Sequence, residues 1–448
     1  MNEELFDISI LGGGISCLAS LKYLISLKSN LKICIICSSK DLNNKKVSKK
    51  YYQSFSLNHL KVSNNIRKNQ IDKSILTSSI DYKLSILSTH NLGGLASFWG
   101  GGFFPSFDKK SSTERKKYEF IKKIFSIYEM NNSLESFNFS SFVTKFEKLR
   151  CQFLINSNSK KYSSPSILDP RIEIEKICIQ NNIPIFKDYF IEKLEYDKDK
   201  NNIRIISKNK PIFTRNILLG FGVFNTPKIL IKSKILKQKQ FYFYDHYLYR
   251  IPLIDLKNIF FSQKNKLIKK NISSLESAFL KKNDYKEIFL GIYKINNKIV
   301  KNFPKFNPVI QYLIKKNILI FSQIFFSDEK EKFRVKGVYE NDNYFFEKIN
   351  YKGLDIWSKV NIFFFYLLKG YIPMPFKSLQ KFGSSYHVHG SLKDLRLINL
   401  SGSNKIKCQI QIIDSSSLKV IESPPSSYFL IHNAIERTKI LVKNIQIS

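Results

Sequence analysis

Two histidines separated by a single residue are the side chains of this sequence best suited to acid–base chemistry. His387 and His389 lie in the segment SSYHVHGS at 384–391. The ordinary pKa of histidine lies near neutrality, so an imidazole can take a proton from a hydroxyl group and return it. In an extended segment, residues two apart point to the same side, so either histidine could reach a substrate. The alternative is that both are structural or surface histidines.

A glycine-rich turn near the start of the chain is suited to binding a pyrophosphate. LFDISIL at 5–11 predicts a buried strand, Gly12–Gly14 forms a turn, Ile15 to Leu27 has apolar residues at helical spacing, and Lys32 to Cys37 predicts a second strand. Glycine lets the backbone approach phosphates closely, and a helix N-terminus offers unpaired N–H groups and a partial positive charge. The strand–helix–strand order therefore favours a dinucleotide site over an ordinary glycine-rich turn.

This turn departs from the G-x-G-x-x-G pattern at two places. Gly12 and Gly14 fill the first two glycine positions, but Cys17 stands at the third. A small thiol can still pack there, because the third glycine mainly eases contact between helix and strand. The acidic residue that would bind the ribose hydroxyls is replaced by Cys37 or Ser38. Ser38 could supply one hydrogen bond.

Cys34 and Cys37 form a C-x-x-C on the second predicted strand. Residues three apart on a strand face opposite sides of the sheet, so the two thiols should diverge. We therefore interpret them as buried strand cysteines rather than a redox pair or a metal clip. The sequence predicts no metal site.

Three further segments bear on the same site. LGGLASFWGGGFFP at 92–105 can press its backbone against a flat ring or a pyrophosphate. ILLGFGVFNTPKIL at 217–230 predicts a strand, a turn containing Gly220 and Gly222, and the start of a helix. IIDSSS at 412–417 ends a predicted strand and precedes a last helix from about Ser427 to Lys443.

In their order along the chain, these segments resemble the glucose–methanol–choline (GMC) family of FAD-dependent alcohol oxidoreductases. GGGISCLAS is similar to the family's ADP-binding motif, LGGLASFWGGG to the glycine motif beside the flavin, and ILLGFGVFNTPKIL to its strand-to-helix signature. Asp245-His246 and YHVHGS followed by IIDSSS are similar to later family segments. The stretches 106–190 and 250–380 carry no recognisable resemblance.

The resemblance implies an α/β fold in two parts. A Rossmann-like FAD-binding domain would be built from the discontinuous segments 1–105, 190–235 and 380–448. A second, α+β substrate or cap domain with an antiparallel sheet would be formed by 106–189 and 236–379. The FAD is expected to be non-covalent, because no histidine lies in the 93–102 loop, where some members attach the flavin.

The resemblance also implies roles for individual residues. His387 takes the position of the base, which receives the hydroxyl proton while a hydride passes to the flavin, and His389 is the second candidate. The residues assigned to the cofactor are Gly12, Gly13, Gly14, Ile15, Ser16, Ser38, Gly93, Gly94, Trp99, Gly100, Gly222, Asp414 and Ser415. His246 is expected to form hydrogen bonds at a domain edge, His432 to be structural, and His59 and His90 lie in no motif.

One departure from the family weakens the catalytic prediction. A second His or Asn is expected about a dozen residues after Asp414, where this chain has Pro424-Pro425-Ser426. Neither proline side chain can donate a hydrogen bond. This favours either a single-histidine dehydrogenase or a weakened enzyme.

The composition limits the classes of partner. The 448 residues include 73 Lys and Arg and 36 Asp and Glu, a formal charge of +37. The cationic residues are spread over nearly every segment, and no nucleic-acid-binding motif is present, so we expect no specific nucleic-acid site. Weak contact with a membrane or a polyanion is the alternative that the charge allows. No apolar run reaches the ~18 residues of a membrane span, and the N-terminus lacks a signal-peptide pattern. The six cysteines are scattered along the chain. Together these features favour a cytoplasmic protein.

The sequence therefore predicts an FAD-dependent oxidoreductase that acts on the CH–OH group of an alcohol or sugar-like small molecule, with an unknown electron acceptor. The alternative is a non-catalytic or degenerate dinucleotide-binding protein on the same fold, with an accessory role in cell-envelope polysaccharide synthesis.

Overall fold

The computed structural model of the protein describes the main segments of both predicted domains. The described residues are 4–37, 92–98, 102–104, 112–129, 146–149, 152–157, 167–256, 259, 274–282, 286–293, 308–316, 318–326, 334–347, 356–374, 378–379, 387–400, 408–419 and 427–447. Within them the helices are α1 (Ile15–Ser26), α2 (Ser112–Ile124), α3 (Pro170–Gln180), α4 (Asn225–Lys232), α5 (Pro308–Lys315), α6 (Ile356–Leu368) and α7 (Ser427–Ile447). Short 3-10 helices cover Gly94–Phe98 and Ser415–Ser417.

The strands of the same residues are distributed over the whole chain. They are β1 (Leu5–Leu11), β2 (Ile33–Ile36), β3 (Ser126–Glu129), β4 (Phe146–Leu149), β5 (Gln152–Ile155), β6 (Ile185–Phe186), β7 (Ile191–Asp197), β8 (Asn202–Ser207), β9 (Ile212–Leu219), β10 (Gln240–Tyr244), β11 (Tyr247–Asp255), β12 (Ser274–Lys282), β13 (Lys286–Tyr293), β14 (Leu319–Phe326), β15 (Arg334–Glu340), β16 (Asn343–Phe346), β17 (Tyr371–Pro373), β18 (Ser378–Leu379), β19 (Leu397–Asn399) and β20 (Gln409–Ile412). The predicted strands at 5–11 and 32–37 and the helix after Gly14 are confirmed, and the last helix runs past its predicted end to Ile447.

A mixed sheet of eight described strands carries the candidate site. Its main path is β19-β20-β9-β1-β2-β6, and β8 and β7 continue antiparallel from the first part of β9. β20, β9, β1, β2 and β6 are parallel, so their carboxyl ends share one edge. At that edge Leu11 pairs with Ile36 on one side and with Leu219 on the other. Almost every residue of these strands is buried, as expected for a parallel sheet covered on both faces.

The two faces of this sheet have separate cores. On one face, α1 and α7 pack together, and the Thr438 hydroxyl donates to Ser20 Oγ at 2.8 Å. The other face packs against the three-stranded sheet β10-β15-β16. Cys34 belongs to this second core and Cys37 to the first, so the prediction that the two thiols diverge is confirmed.

A second, antiparallel sheet lies beside the first. Its path is β17-β11-β14-β13-β12-β4, with β18 also paired to β11. Helix α6 packs on one face of it, where the Tyr366 hydroxyl donates to Ser322 Oγ at 2.6 Å. The opposite face presents Phe289 and Phe325, which pack with Phe104 from the end of the second glycine segment. The predicted α/β class with a separate antiparallel sheet is confirmed.

One part of the predicted cap lies with the first sheet instead. β6 pairs with β2 through Ile35 and Ile185, and α3 packs against α1 in the same core. Lys22 of α1 also pairs with Glu173 of α3 at 3.5 Å. Of the predicted cap segment 106–189, residues 170–186 therefore pack with the first sheet. A two-residue strand is too short for its pattern to reveal which sheet it joins.

Candidate active site

Glycine turns from three distant segments meet at the carboxyl edge of the parallel strands. The Gly93 N–H donates to the carbonyl oxygen of Gly13 at 2.7 Å. A Cβ added to Gly12, whose φ is +117°, would lie 2.3 Å from the carbonyl oxygen of Gly220. Only glycine fits this contact, because the backbones touch where a side chain would stand. The structure therefore brings together the three glycine segments that the sequence singled out.

Two other glycines of these turns border open space. A Cβ added to Gly14 or to Gly222 would meet no heavy atom of the described residues within 4 Å. Gly14 is the N-cap of α1, which has no side-chain cap and no acidic residue in its first turn. The N–H groups of Ile15 and Ser16 and the positive end of the helix dipole are thus available at this end. This arrangement is the one by which a helix N-terminus binds phosphate.

Cys17 fills the position of the missing third glycine without disturbing the turn. Its Sγ lies 3.7 Å from the carbonyl oxygen of Gly220 and 3.8 Å from that of Leu11. A Cβ on Gly220 would lie only 2.7 Å from this sulfur, so the space for the thiol comes from Gly220. Burial raises the pKa of Cys17 to about 12, which keeps the thiol neutral. The prediction that a small thiol can pack here is confirmed.

Asp414 fixes the turn at Gly222 to the turn at 414–417. Its Oδ2 accepts hydrogen bonds from the Gly222 N–H, at 2.8 Å, and from the Thr226 hydroxyl. Its Oδ1 accepts from the N–H of Ser416, at 2.8 Å, and from the hydroxyl of the same residue. Burial raises the pKa of Asp414, and these four bonds oppose that rise. The four bonds make the carboxylate hold the two turns together. A contact of Asp414 with a cofactor stays a prediction.

The segment with the paired histidines is attached directly to this turn. The Gly390 N–H donates to the carbonyl oxygen of Ser415 at 2.9 Å, and the Leu392 N–H donates to that of Ser416 at 2.8 Å. On its other side, His389 and Tyr244 exchange two backbone hydrogen bonds of 3.0 Å. The histidines therefore lie between the glycine turns and the end of β10.

His387 lies against the second sheet. Its ring stacks on Phe325, with centroids 5.4 Å apart, and stands perpendicular to the ring of His246 at 5.2 Å. The residue keeps some exposed surface, but its Nδ1 is shielded from solvent. Burial, and secondarily the neighbouring His389, lowers the pKa of His387 to about 3. The imidazole is therefore neutral and able to accept a proton.

His389 has a different environment. It is buried, its ring lies on Tyr244 with centroids 5.7 Å apart, and its Nδ1 lies 3.2 Å from the carbonyl oxygen of His387. A hydrogen on Nδ1 makes this a hydrogen bond to the backbone. These contacts suit a residue that holds the segment in place, and they favour His387 over His389 as the base.

His246 lies against His387. Its backbone N–H donates to Asp245 Oδ1 at 2.8 Å, and among the described residues its buried Nε2 has no hydrogen-bond partner. Burial lowers the pKa of His246 well below the ordinary value, with His387 and His389 adding to the effect. The expectation that His246 forms hydrogen bonds at a domain edge stays a prediction. The sequence shows Asp245-His246 but cannot show that the ring meets His387, which lies 141 positions later.

The remaining predicted residues fall into two groups. Ile15, Ser16, Gly94 and Ser415 lie in the turns and helix starts already described, and His432 stacks on Tyr428 within α7, as a structural residue would. Outside the described residues lie Ser38, Trp99, Gly100, His59, His90, Pro424, Pro425 and Ser426. Thr226 and Phe325 were not predicted, and Gly220 was predicted only as part of a turn, because their roles depend on contacts between distant segments.

Comparisons with known proteins agree with this geometry. No protein-family model matches the sequence, and no curated protein matches it significantly. Pyridoxine 4-oxidase from Mesorbium loti matches in structure over 97% of this chain and 99% of that chain, with a TM-score of 0.54 and 9% identity. A variant of formate oxidase from Aspergillus oryzae RIB40, studied for its FAD modification, matches over 99% of both chains, with a TM-score of 0.60 and 13% identity. Both neighbours are oxidases, and the formate oxidase contains FAD.

The chain shares its fold with these two oxidases. The resemblance that the sequence motifs predicted is thus confirmed at the level of the fold, although few residues are identical. Within this fold, the turns at Gly14 and Gly222 have the N–H groups, the positive dipole and, among the described residues, the space that a pyrophosphate requires. These residues therefore fit the pyrophosphate of a dinucleotide such as FAD.

Proposed function

We propose that this protein is an FAD-dependent oxidoreductase that oxidises the CH–OH group of a small alcohol or sugar-like molecule. The observation that carries the proposal is the link between the histidine segment and the glycine cradle through Gly390 and Leu392. This link supports a role for the neutral imidazole of His387 in a reaction at the proposed FAD site. FAD, when bound, would accept the hydride from the substrate carbon.

The cradle residues would hold the cofactor without a covalent bond. Gly12–Ser16 and Gly222 would contact the phosphates through their backbones, and Gly93, Gly94 and Ser415 would border the rest of the molecule. Ser38, Trp99 and Gly100 remain proposed contacts. Asp414 acts through the turns that it joins. The FAD-binding domain would then comprise 1–105, 170–235 and 380–448.

His387 would act as the base. Its neutral ring accepts the hydroxyl proton as the O–H bond breaks. A base with a pKa of about 3 is weak on its own, but a developing negative charge on the substrate oxygen raises the pKa during the transfer. The ring contact with Phe325 keeps the imidazole in a fixed orientation.

The alternative function, a non-catalytic dinucleotide-binding protein, rests on departures from the family pattern. One of them, Cys17, is accommodated by Gly220 and gives that alternative no support. The replacements near Ser38 and Ser426 lie outside the described residues. An accessory role in polysaccharide synthesis stays an alternative prediction.

The catalytic proposal is tested by His387→Ala, with His432→Ala as a matched control from a helix. We expect His387→Ala to retain yellow FAD and to lose about 100- to 10,000-fold in the rate at which alcohols bleach the flavin without oxygen, because general-base catalysis contributes on that order. Stopped-flow absorbance measures this rate. Unchanged bleaching by His387→Ala would show that another group is the base.

We also propose that the outer face of α6 contacts an anionic lipid surface. Phe363, Phe364, Leu367 and Leu368 are exposed on this helix, whereas Ile362, Phe365 and Tyr366 face the second sheet. An exposed apolar helix face on a chain with a net charge of +37 is complementary to an anionic interface. Among the described residues, no helix is long and apolar enough to cross a membrane.

A further inference from the structure

His246 carries a buried polar atom that no described residue satisfies. Only 2% of the residue is exposed, and its Nε2 has no hydrogen-bond partner among the residues that the structure describes. A buried donor or acceptor without a partner costs stability, and such atoms in native proteins call for a specific explanation. A bound molecule that pairs with Nε2 would supply the missing hydrogen bond.

The position of His246 indicates which molecule this is. Its ring is perpendicular to that of His387, with centroids 5.2 Å apart, and Phe325 contacts both rings at 6.1 and 5.4 Å. The backbone N–H of His246 donates a hydrogen bond to Oδ1 of Asp245, and this bond fixes the backbone of His246. The unsatisfied nitrogen therefore belongs to the same cluster as the proposed base.

We propose that His246 binds the oxygen of the substrate hydroxyl while His387 takes the hydroxyl proton. This inference rests on the proposed function. The O–H bond breaks, the proton moves to the imidazole of His387, and the negative charge developing on the oxygen stays beside the Nε2–H of His246. A donor placed at a developing oxyanion stabilises the transition state more than the ground state. His246 is then a catalytic residue for which the sequence motifs gave no role.

The electrostatic surroundings suit a donor rather than a second base. His387 and His389 lie near His246, and a positive charge on either disfavours a charge on His246. Burial acts in the same direction. A neutral imidazole keeps one N–H, which it can offer to the substrate oxygen.

Two substitutions separate this role from a structural one. His246→Leu removes the polar atom at similar volume, and His246→Gln keeps a polar group near the position of Nε2. His432→Leu, in α7, is the control for loss of a structural histidine. On the FAD-loaded proteins we would measure the thermal unfolding midpoint, the retained flavin absorbance, and the rate of anaerobic bleaching. The probe is whichever of ethanol, benzyl alcohol and glucose bleaches the wild type fastest.

We expect His246→Leu to keep FAD and to unfold at the wild-type temperature or higher, because it removes an unsatisfied buried atom. Its bleaching rate should fall about 100-fold, the size of effect seen when a donor to an oxyanion is lost. His246→Gln should recover part of the rate. His432→Leu should leave the rate of bleaching unchanged.

A lower unfolding temperature with an unchanged bleaching rate in His246→Leu would overturn the inference, since it would make His246 structural. A wild-type protein that holds FAD but is bleached by none of the three probes would instead contradict the proposed function. In that case the unfolding temperature alone tests whether His246 binds a ligand. A lower temperature in His246→Leu overturns the ligand-binding role. An equal or higher temperature retains that role, but for a different reaction.

Discussion

At the scale of single residues, burial determines the chemistry of the site. It keeps the rings of His387 and His246 neutral, holds Cys17 as an inert thiol, and opposes the charge of Asp414. Four hydrogen bonds to the carboxylate of Asp414 offset the cost of its burial, and they also fix the backbone at Gly222 and Ser416. Asp414 thus holds the turns together, whereas the two histidines are available for a reaction.

The neutral histidines predict how stability depends on pH. As pH falls below about 6.5, unfolded histidines bind protons that the folded His387, with a pKa of about 3, and the folded His246, with a lowered pKa, reject, so the folded state loses stability. Each such histidine contributes up to about 1.4 kcal/mol per pH unit. Urea unfolding at several values from pH 4.5 to 7 should therefore give a shallower dependence for His246→Leu than for the wild type. Parallel curves would show that His246 binds protons equally in the folded and unfolded states.

At the scale of elements, the glycines divide into those that allow the turns to touch and those that leave space. Gly12 belongs to the first group, since any Cβ would collide with the backbone at Gly220. Gly14 belongs to the second group, with φ −80° and no atom near the position of a Cβ. The same sequence pattern thus contains two different physical requirements.

This division predicts opposite results for two alanine substitutions. Gly12→Ala should unfold the first sheet or reduce its stability by more than about 3 kcal/mol, because backbone must move and the residue has a positive φ. Gly14→Ala should fold with stability within about 1 kcal/mol of the wild type but bind FAD at least tenfold more weakly, since its methyl group enters the cradle. Urea unfolding and FAD titration by fluorescence quenching measure the two effects. Tight FAD binding by Gly14→Ala would place the phosphates elsewhere.

Local sequence patterns predicted the elements around the site well. The run at 5–11, the turn Gly12–Gly14 and the IIDSSS segment all lie where their patterns indicated. The patterns could not reveal that α3 and β6 join the first sheet, because a short helix and a two-residue strand show no face of their own. Nor could they reveal the meeting of His246 and His387, which depends on how the two sheets are placed.

At the scale of the whole molecule, the two sheets have different partners on their outer faces. The first sheet is covered by α1 and α7, whereas α6 covers the second sheet with one side and exposes Phe363 and Phe364 on the other. The sequence has a large positive charge spread along the chain, which attracts an anionic lipid surface. The structure adds an apolar face that such a surface could contact.

Vesicle binding tests this surface. We expect the wild type to sediment with phosphatidylglycerol vesicles at low salt, and to do so less with phosphatidylcholine vesicles or at high salt, because anionic charge attracts it. Phe363→Ser with Phe364→Ser should reduce binding at least tenfold, whereas Ile179→Ser, an exposed apolar residue of α3, should not. Equal binding by the double variant would contradict the proposal, and a concentration-dependent dimer lost in that variant would assign the face to a second copy of the chain.

The central claim, that the glycine cradle binds FAD, is tested most directly by the visible absorption spectrum of the freshly purified protein before and after acid precipitation. Our account predicts the two-band spectrum of a flavin, with the yellow colour released into the supernatant because FAD is held without a covalent bond. A colourless protein that also takes up no added FAD would contradict the account. The non-catalytic alternative would then be the better description of the fold.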